Sequence, residues 1–190
     1  MKIITGATGE AHVTSNDDGE FNQGIWGDGV AILTNGNKLS ATIVDNNTVR
    51  IADGDLVFQG RHALVEPNTY EDMRIATGAA GKNRKDLICV QYKLISGVES
   101  MSLVVKKGTA TSATAQDPTY TEGVIRTGAI LAEYPLYRVN ISGINITSVE
   151  KLVDVIPYII DIAKKKIDYG TVLPPASNYK DGDIFLLYEE

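Results

Sequence analysis

Asn83-Arg84-Lys85-Asp86-Leu87-Ile88-Cys89-Val90-Gln91-Tyr92-Lys93 opens with charge and then runs apolar from Leu87 to Val90. Leu94-Ile95-Ser96-Gly97-Val98-Glu99-Ser100 follows, and then Met101-Ser102-Leu103-Val104-Val105-Lys106-Lys107. The first run suits a strand buried on both faces, the second is rich in β-branched and aliphatic residues, and Ser96-Gly97 links them. Two such runs joined by a short Gly-containing link predict an antiparallel hairpin. This hairpin is the expected spine of a β-sheet domain.

Punctuation on the N-terminal side of the hairpin is regular. Val30-Ala31-Ile32-Leu33 stops at Asn35-Gly36, and Leu39 to Val44 stops at Asp45-Asn46-Asn47. Thr48 to Ile51 stops at Asp53-Gly54-Asp55, and Leu56 to Val65 runs on to Pro67. Turn signals every ~8–12 residues predict an antiparallel sandwich or barrel. Residues 108–121 read as a low-complexity surface loop. Tyr134 to Val139 reads as a strand with Pro135 early, as at a sheet edge.

Helical periodicity appears after Thr147. Thr147-Ser148-Val149-Glu150 matches a capping box, and Val149, Val153, Ile156, Ile160, Ala163 and Ile167 are spaced 4, 3, 4, 3 and 4 apart. That is the rhythm of a coiled-coil seam, and β-branched residues at the seam favour three strands. Pro157 lies inside the run, so the helix kinks there or stops at Ile156 and restarts. A single amphipathic helix lying on its own sheet is the alternative. The expected organisation is an extended N-terminal docking arm (1–28), a β-sandwich (29–146), a helical neck (147–168) and a short C-terminal β segment (169–190).

Composition narrows the function. Hydrophobic residues at 43% and charged residues at 22% of 190 residues belong to a globular chain with a real core. The net charge is 18 − 24 = −6 with no long basic run, which disfavours nucleic acid as a partner. No stretch approaches the ~20 apolar residues of a membrane span, so no membrane insertion is expected. Met1 to Gly6 has only a two-residue apolar patch, so synthesis in the cytoplasm without a signal peptide is expected.

Chemistry-bearing residues are few. Cys89 is the only cysteine and sits in an apolar run, where a packed thiol is the expectation. His12 and His62 are in no metal-ligand spacing, and no nucleophile elbow or phosphate loop is present. Asp17-Asp18 and Asp53-Gly54-Asp55 read as turn chemistry. No enzyme, cofactor or metal is expected. Trp26, the sole tryptophan, reads as a packed anchor or a partner-facing aromatic.

Several segments carry a resemblance. They are Ala11-His12-Val13-Thr14-Ser15-Asn16-Asp17-Asp18, Asn22-Gln23-Gly24-Ile25, Arg50-Ile51-Ala52-Asp53-Gly54, Phe58-Gln59-Gly60-Arg61, Asn83-Arg84-Lys85-Asp86-Leu87, Gly97-Val98-Glu99-Ser100-Met101 and Tyr120-Thr121-Glu122-Gly123. Residues 8–148 resemble the N-terminal region of phage and prophage tail baseplate or receptor-binding, tail-fibre-like proteins of Gram-positive bacteria. Gly170 to Pro175 and Gly182 to Tyr188 look like the close of many tail proteins. The resemblance implies a β-sandwich shoulder that docks on the baseplate, a helical neck, a homotrimer, location in the virion and a role in host attachment. Such proteins usually carry a large head after the neck, where this sequence has residues 169–190, so an adaptor role is expected alongside direct receptor binding. The alternative is a module recognising cell-surface saccharide, with Trp26, Tyr179 and Tyr188 stacking on sugar rings. A glycan-cleaving enzyme is a third reading, for which no carboxylate pair stands out.

Overall fold

The computed structural model describes residues 2–6, 9, 12–163 and 167–188. The arm residues 1, 7, 8, 10 and 11, the neck residues 164–166 and the last two residues lie outside the described residues. The chain divides into two compact units, one ending at Ile156 and one beginning at Pro157.

The first unit opens with α1 (Ser15–Trp26), followed by β1 (Val30–Ile32), β2 (Ala41–Asp45), β3 (Thr48–Phe58) and β4 (Arg61–Arg74). β5 (Asn83–Ile95), β6 (Val98–Lys106), β7 (Leu131–Ser142) and β8 (Asn145–Lys151) complete it. β1 and β2 pair with opposite ends of one edge of β3, and β4 pairs with its other edge. The second sheet has the order β6-β5-β7-β8, and every pairing in both sheets is antiparallel. Ile32, Val49, Ile51 and Phe58 from one sheet share a core with Ile88, Val90, Leu136 and Val139 from the other. The protein is mainly β and sandwich-like, as its turn spacing predicts.

The predicted hairpin is β5–β6. Ile95 faces Val98 across a two-residue turn in which Ser96 (φ 50°) and Gly97 (φ 81°) both take left-handed backbone, the geometry that matches strand twist. A second such turn falls at Gln59-Gly60, with φ 45° and 81°, and splits the predicted Leu56–Val65 strand between β3 and β4. Pro135 sits where β7 has β5 on one side only, because β8 pairs no further than Tyr137. The missing N–H of Pro135 therefore leaves no ladder bond unmade.

β5 is buried from Asp86 through Tyr92. Ile88, Val90 and Tyr92 face the shared core. Leu87, Cys89 and Gln91 point to the other face, by strand alternation. That side is closed by the 108–121 loop, which is fastened at both ends. Gly108 N–H donates to Asp86 Oδ1 at 2.9 Å, and Thr121 N–H donates to Glu133 Oε2 at 2.7 Å. Ala115 in the loop is itself buried.

The helical neck at 147–168 is not formed. Val149 lies on β8 opposite Val139, and Val153 is buried in the sandwich core. β8 is itself irregular near its start. Between the pairs Asn140↔Ser148 and Ile141↔Ile146 the register shifts, leaving Thr147 as an extra residue. An inserted residue turns the strand spacing of two into three, so Ile146 and Val149 both reach the core at helix-like spacing. After β8 the chain crosses to the other sheet. Ile156 N–H donates to Ile32 O at 2.8 Å and Thr34 Oγ1 donates to Ile156 O at 2.5 Å. Among the described residues of this segment, helix is confined to α2 (Ile159–Ala163), too short for a seam.

Because Val153 closes the sandwich, Val153→Asp buries an unpaired charge in its core. The expected result is a loss of about 3 kcal/mol or more in denaturant unfolding. A surface seam residue at this position would leave the unfolding midpoint unchanged.

Candidate functional site

The N-terminal segment is helical where an extended arm was predicted. Thr14 caps α1: Asp17 N–H donates to Thr14 Oγ1 at 3.3 Å, and Thr14 N–H donates to Asp17 Oδ2 at 2.8 Å. This is a capping box, with Asp in place of Glu or Gln. Lys2 Nζ donates to the same oxygen at 2.8 Å. The bonds from Lys2 and Thr14 lower the Asp17 carboxyl to about 2. Its acidic first turn, Asp17 and Asp18, also suits the positive end of the helix dipole.

α1 docks by backbone contact. Gly19 is its only buried residue. A Cβ on Gly60 would lie 1.8 Å from Gly19 O, and a Cβ on Gly19 would lie 1.8 Å from an Arg61 guanidinium nitrogen. Gly60 lets the helix backbone rest on the β3–β4 turn, and Gly19 leaves room for the Arg61 guanidinium. Beneath it, Arg61 donates to Glu99 Oε1 through Nε at 3.2 Å and Nη2 at 2.9 Å, and Nη2 also reaches Asn16 Oδ1 at 3.0 Å. Tyr92 Oη donates to the same Glu99 oxygen at 2.8 Å. One side chain thereby ties the helix, the β3–β4 turn and the β5–β6 hairpin together.

A cleft of about 330 Å³ lies between α1 and the strands, lined by Ser15, Asp18, Asn22, His62, Ser100 and Met101 among others. His62 Nε2 is 2.9 Å from Asp55 Oδ2. Burial works against the charged form of Glu99, but the bonds from Tyr92 and Arg61 outweigh it and hold the carboxyl below its ordinary value. Glu133 behaves alike. Burial opposes its charge, while Lys106 Nζ at 2.9 Å, Thr121 N–H and Gln91 Nε2 at 2.5 Å lower its carboxyl. A general acid needs a carboxyl raised toward the working pH; these two are moved the other way. Burial and the nearby Glu133 charge push the Cys89 thiol up to about 12, so it is a poor nucleophile. These networks fasten segments together.

Apolar surface lies elsewhere. On α1, Phe21 and Ile25 are 70% and 51% exposed one turn apart, so the helix turns its glycine and polar residues inward and its apolar pair outward. Trp26 ends the helix, half-buried. The second unit contains α2 and a parallel pair, β9 (Ile167–Gly170) and β10 (Ile184–Leu187). Tyr179 stacks edge-on against Phe185 with centroids 5.9 Å apart, and its Oη donates to Asp168 Oδ2 at 3.1 Å. Its ring is therefore engaged. Tyr188 is exposed. Trp26 belongs to the first unit and the two tyrosines to the second.

The predicted seam is divided in the same way. Val149, Val153 and Ile156 serve the sandwich, whereas Ile160 and Ile167 are exposed in the second unit; the Ala163 side chain lies outside the described ones. Sequence reading missed the α1 clamp. Its one legible signal was Thr14-Ser15-Asn16-Asp17. Arg61, Glu99 and Tyr92 meet only through strand pairing.

No protein-family model matches the chain, and no curated protein matches it significantly. Among the described residues, no helix is long and apolar enough to cross a membrane, and no cluster of His, Cys, Asp and Glu is arranged to hold a metal.

Two outcomes follow for the clamp. Asp17 carries a folded value of about 2 against an ordinary 3.8, so its support of α1 is complete above that ordinary value and disappears as pH falls through about 2. Fluorescence of Trp26, at the end of the helix, should therefore change between about pH 4 and pH 2. Gly60→Ala adds a side chain at φ 81° against Gly19. It should expose α1 amides to hydrogen exchange while the β5–β6 amides stay protected.

Proposed function

We propose that this chain is a non-enzymatic structural protein of a phage tail baseplate, or of a related tail-like particle. In this reading it is a trimeric adaptor or receptor-binding-protein-like component in host attachment, and it resides in the virion. The observation that carries the reading is the distribution of apolar surface. The sandwich core is closed and the charged side chains at its clefts bond to one another, while among the described residues of the second unit Ile160, Ile167, Tyr169, Val172, Leu173 and Leu186 are each more than half exposed. Large exposed apolar area marks a protein-interaction site.

The segments that carry the resemblance to tail proteins support the same reading. Phe58–Arg61, Gly97–Met101 and Asn22–Ile25 converge on the α1 clamp. Tyr120–Gly123 is fastened to the first of these through Gln59 Nε2, which donates to Gly123 O at 2.7 Å. They are the contacts of a rigid shoulder. Such a shoulder presents two surfaces for assembly. One is the outward Phe21–Ile25 face of α1, for a neighbouring tail protein; the other is the second unit, for copies of itself. Burial of apolar area then drives assembly.

Light scattering of the purified chain should give a mass of three chains; a one-chain mass overturns the trimer. Titration of Gram-positive cell-wall polysaccharide into the protein separates the two roles: a flat response leaves the adaptor and removes the saccharide-binding reading, and a saturable response moves the function to that reading.

A further inference from the structure

We infer that Asn35 is a site of spontaneous covalent modification, at which the side-chain amide is lost and an aspartyl or isoaspartyl residue takes its place. The chemistry needs an asparagine whose C-terminal neighbour offers an unhindered and uncommitted backbone nitrogen. Asn35 is the only asparagine of the chain followed by glycine.

The turn holds Gly36 for reasons of its own. Its φ is 54°, in the region that favours glycine, and a Cβ there would lie 2.8 Å from Asp53 Oδ2. The missing Cβ that lets the turn close also leaves the Gly36 nitrogen open to attack. Among the described residues Gly36 N–H donates to no group, whereas the N–H groups of Leu33, Asn37, Lys38 and Leu39 are all bonded. The Asn35 side chain is exposed and restrained by one bond, from Nδ2 to Asp55 Oδ2 at 3.2 Å. Asn47 and Asn140, by contrast, each donate two bonds from Nδ2 and precede the β-branched Thr48 and Ile141.

The step balances without an added reagent other than water. Gly36 N gives up its proton to solvent base and bonds to Asn35 Cγ. The Cγ–Nδ2 bond breaks, ammonia leaves, and a succinimide ring closes. Water then opens the ring at Cγ, giving aspartate, or at the Asn35 backbone carbonyl carbon, giving isoaspartate.

Both products work against the turn. In the aspartate, the Asp55 oxygen that accepted from Asn35, and that lies 2.9 Å from His62 Nε2, faces a second carboxylate, and like charges disfavour each other. In the isoaspartate the chain runs through the former side chain, so the carbonyl that accepts from Lys38 N–H at 3.1 Å leaves the backbone. The turn that leads into the buried Leu39 loses that closure.

The full folded chain, incubated in mildly alkaline buffer and then digested, should gain ~1 Da in the peptide containing Asn35 and Gly36. The gain should quicken as alkalinity rises, and electron-transfer fragmentation should find isoaspartate in the product. Asn35→Gln, whose longer side chain has to close a larger ring, should keep its mass there. In the converted protein hydrogen exchange should quicken at Lys38 and Leu39 and stay unchanged at Ile88 and Val90. A folded chain that keeps its mass at Asn35, with the urea-unfolded chain as the positive control, overturns the assignment, and so does a gain confined to other asparagines. Conversion that leaves exchange at Lys38 and Leu39 unchanged overturns the effect on the turn.

Discussion

β5 has no side left for water, and most of the first unit is arranged to meet that constraint. Its residues from Asp86 to Tyr92 are all buried. The facing sheet covers Ile88, Val90 and Tyr92, β6 and β7 pair with both edges, and the 108–121 loop lies over the rest. Charged residues at this strand must bring partners with them, because an unpaired buried charge costs several kcal/mol, on the order of 3–5 when one member of a pair is removed. Arg84 and Asp86 pair at 2.8 Å with almost no exposure. The remaining Arg84 donors reach Thr77 O and Ala76 O, and Asp86 accepts from Gly108. The buried pair thus anchors the loops on either side of the hairpin.

The same logic of shared acceptors organises the α1 end. Glu99 takes bonds from Arg61 and Tyr92, and Arg61 extends one of its nitrogens to Asn16 of the helix. Close packing of Gly19 on Gly60 leaves the helix held by backbone contact and polar bonds, with its apolar pair turned to solvent. That is an inversion of ordinary amphipathic packing. The second unit also leaves apolar side chains exposed, Ile167, Tyr169 and Leu186 on one face of β9–β10 and Leu187 on the other, while Tyr179 covers Phe185.

Much of the sandwich was legible beforehand. Ser96-Gly97 placed the hairpin turn, Asn35-Gly36 placed another, and the apolar run at Leu87 to Val90 announced a strand without a wet face. Asp53-Gly54-Asp55, read as a turn, instead lies inside β3, where the pairing with β4 shifts register. The errors have physical causes. Thr14-Ser15-Asn16-Asp17 was passed over as polar arm, although a short acidic residue at N3 closes a capping box as Glu does. Thr147-Ser148-Val149-Glu150 has the same pattern but forms a strand. There Thr147 is the extra residue of a bulge, and Glu150 bonds across the strand to Arg138 at 2.9 Å.

Local chemistry by itself determined the β5–β6 hairpin, its Ser96-Gly97 turn and the buried setting of Cys89, because alternation and positive-φ turns act over a few residues. It also ran one strand across the Gln59-Gly60 turn and ended another at Asp53-Gly54 inside β3. Only the tertiary structure decided three things. It assigned Val149 and Val153 to the sandwich core, because strand pairing and the segment that follows β8, not a helix, carry them there. It brought Arg61, Glu99, Tyr92 and Asn16 together across long sequence separations, through register that no local pattern encodes. It also left Ile167, Tyr169, Leu186 and Leu187 of β9–β10 exposed, because which side chains a strand pair buries depends on what the rest of the chain can place against it.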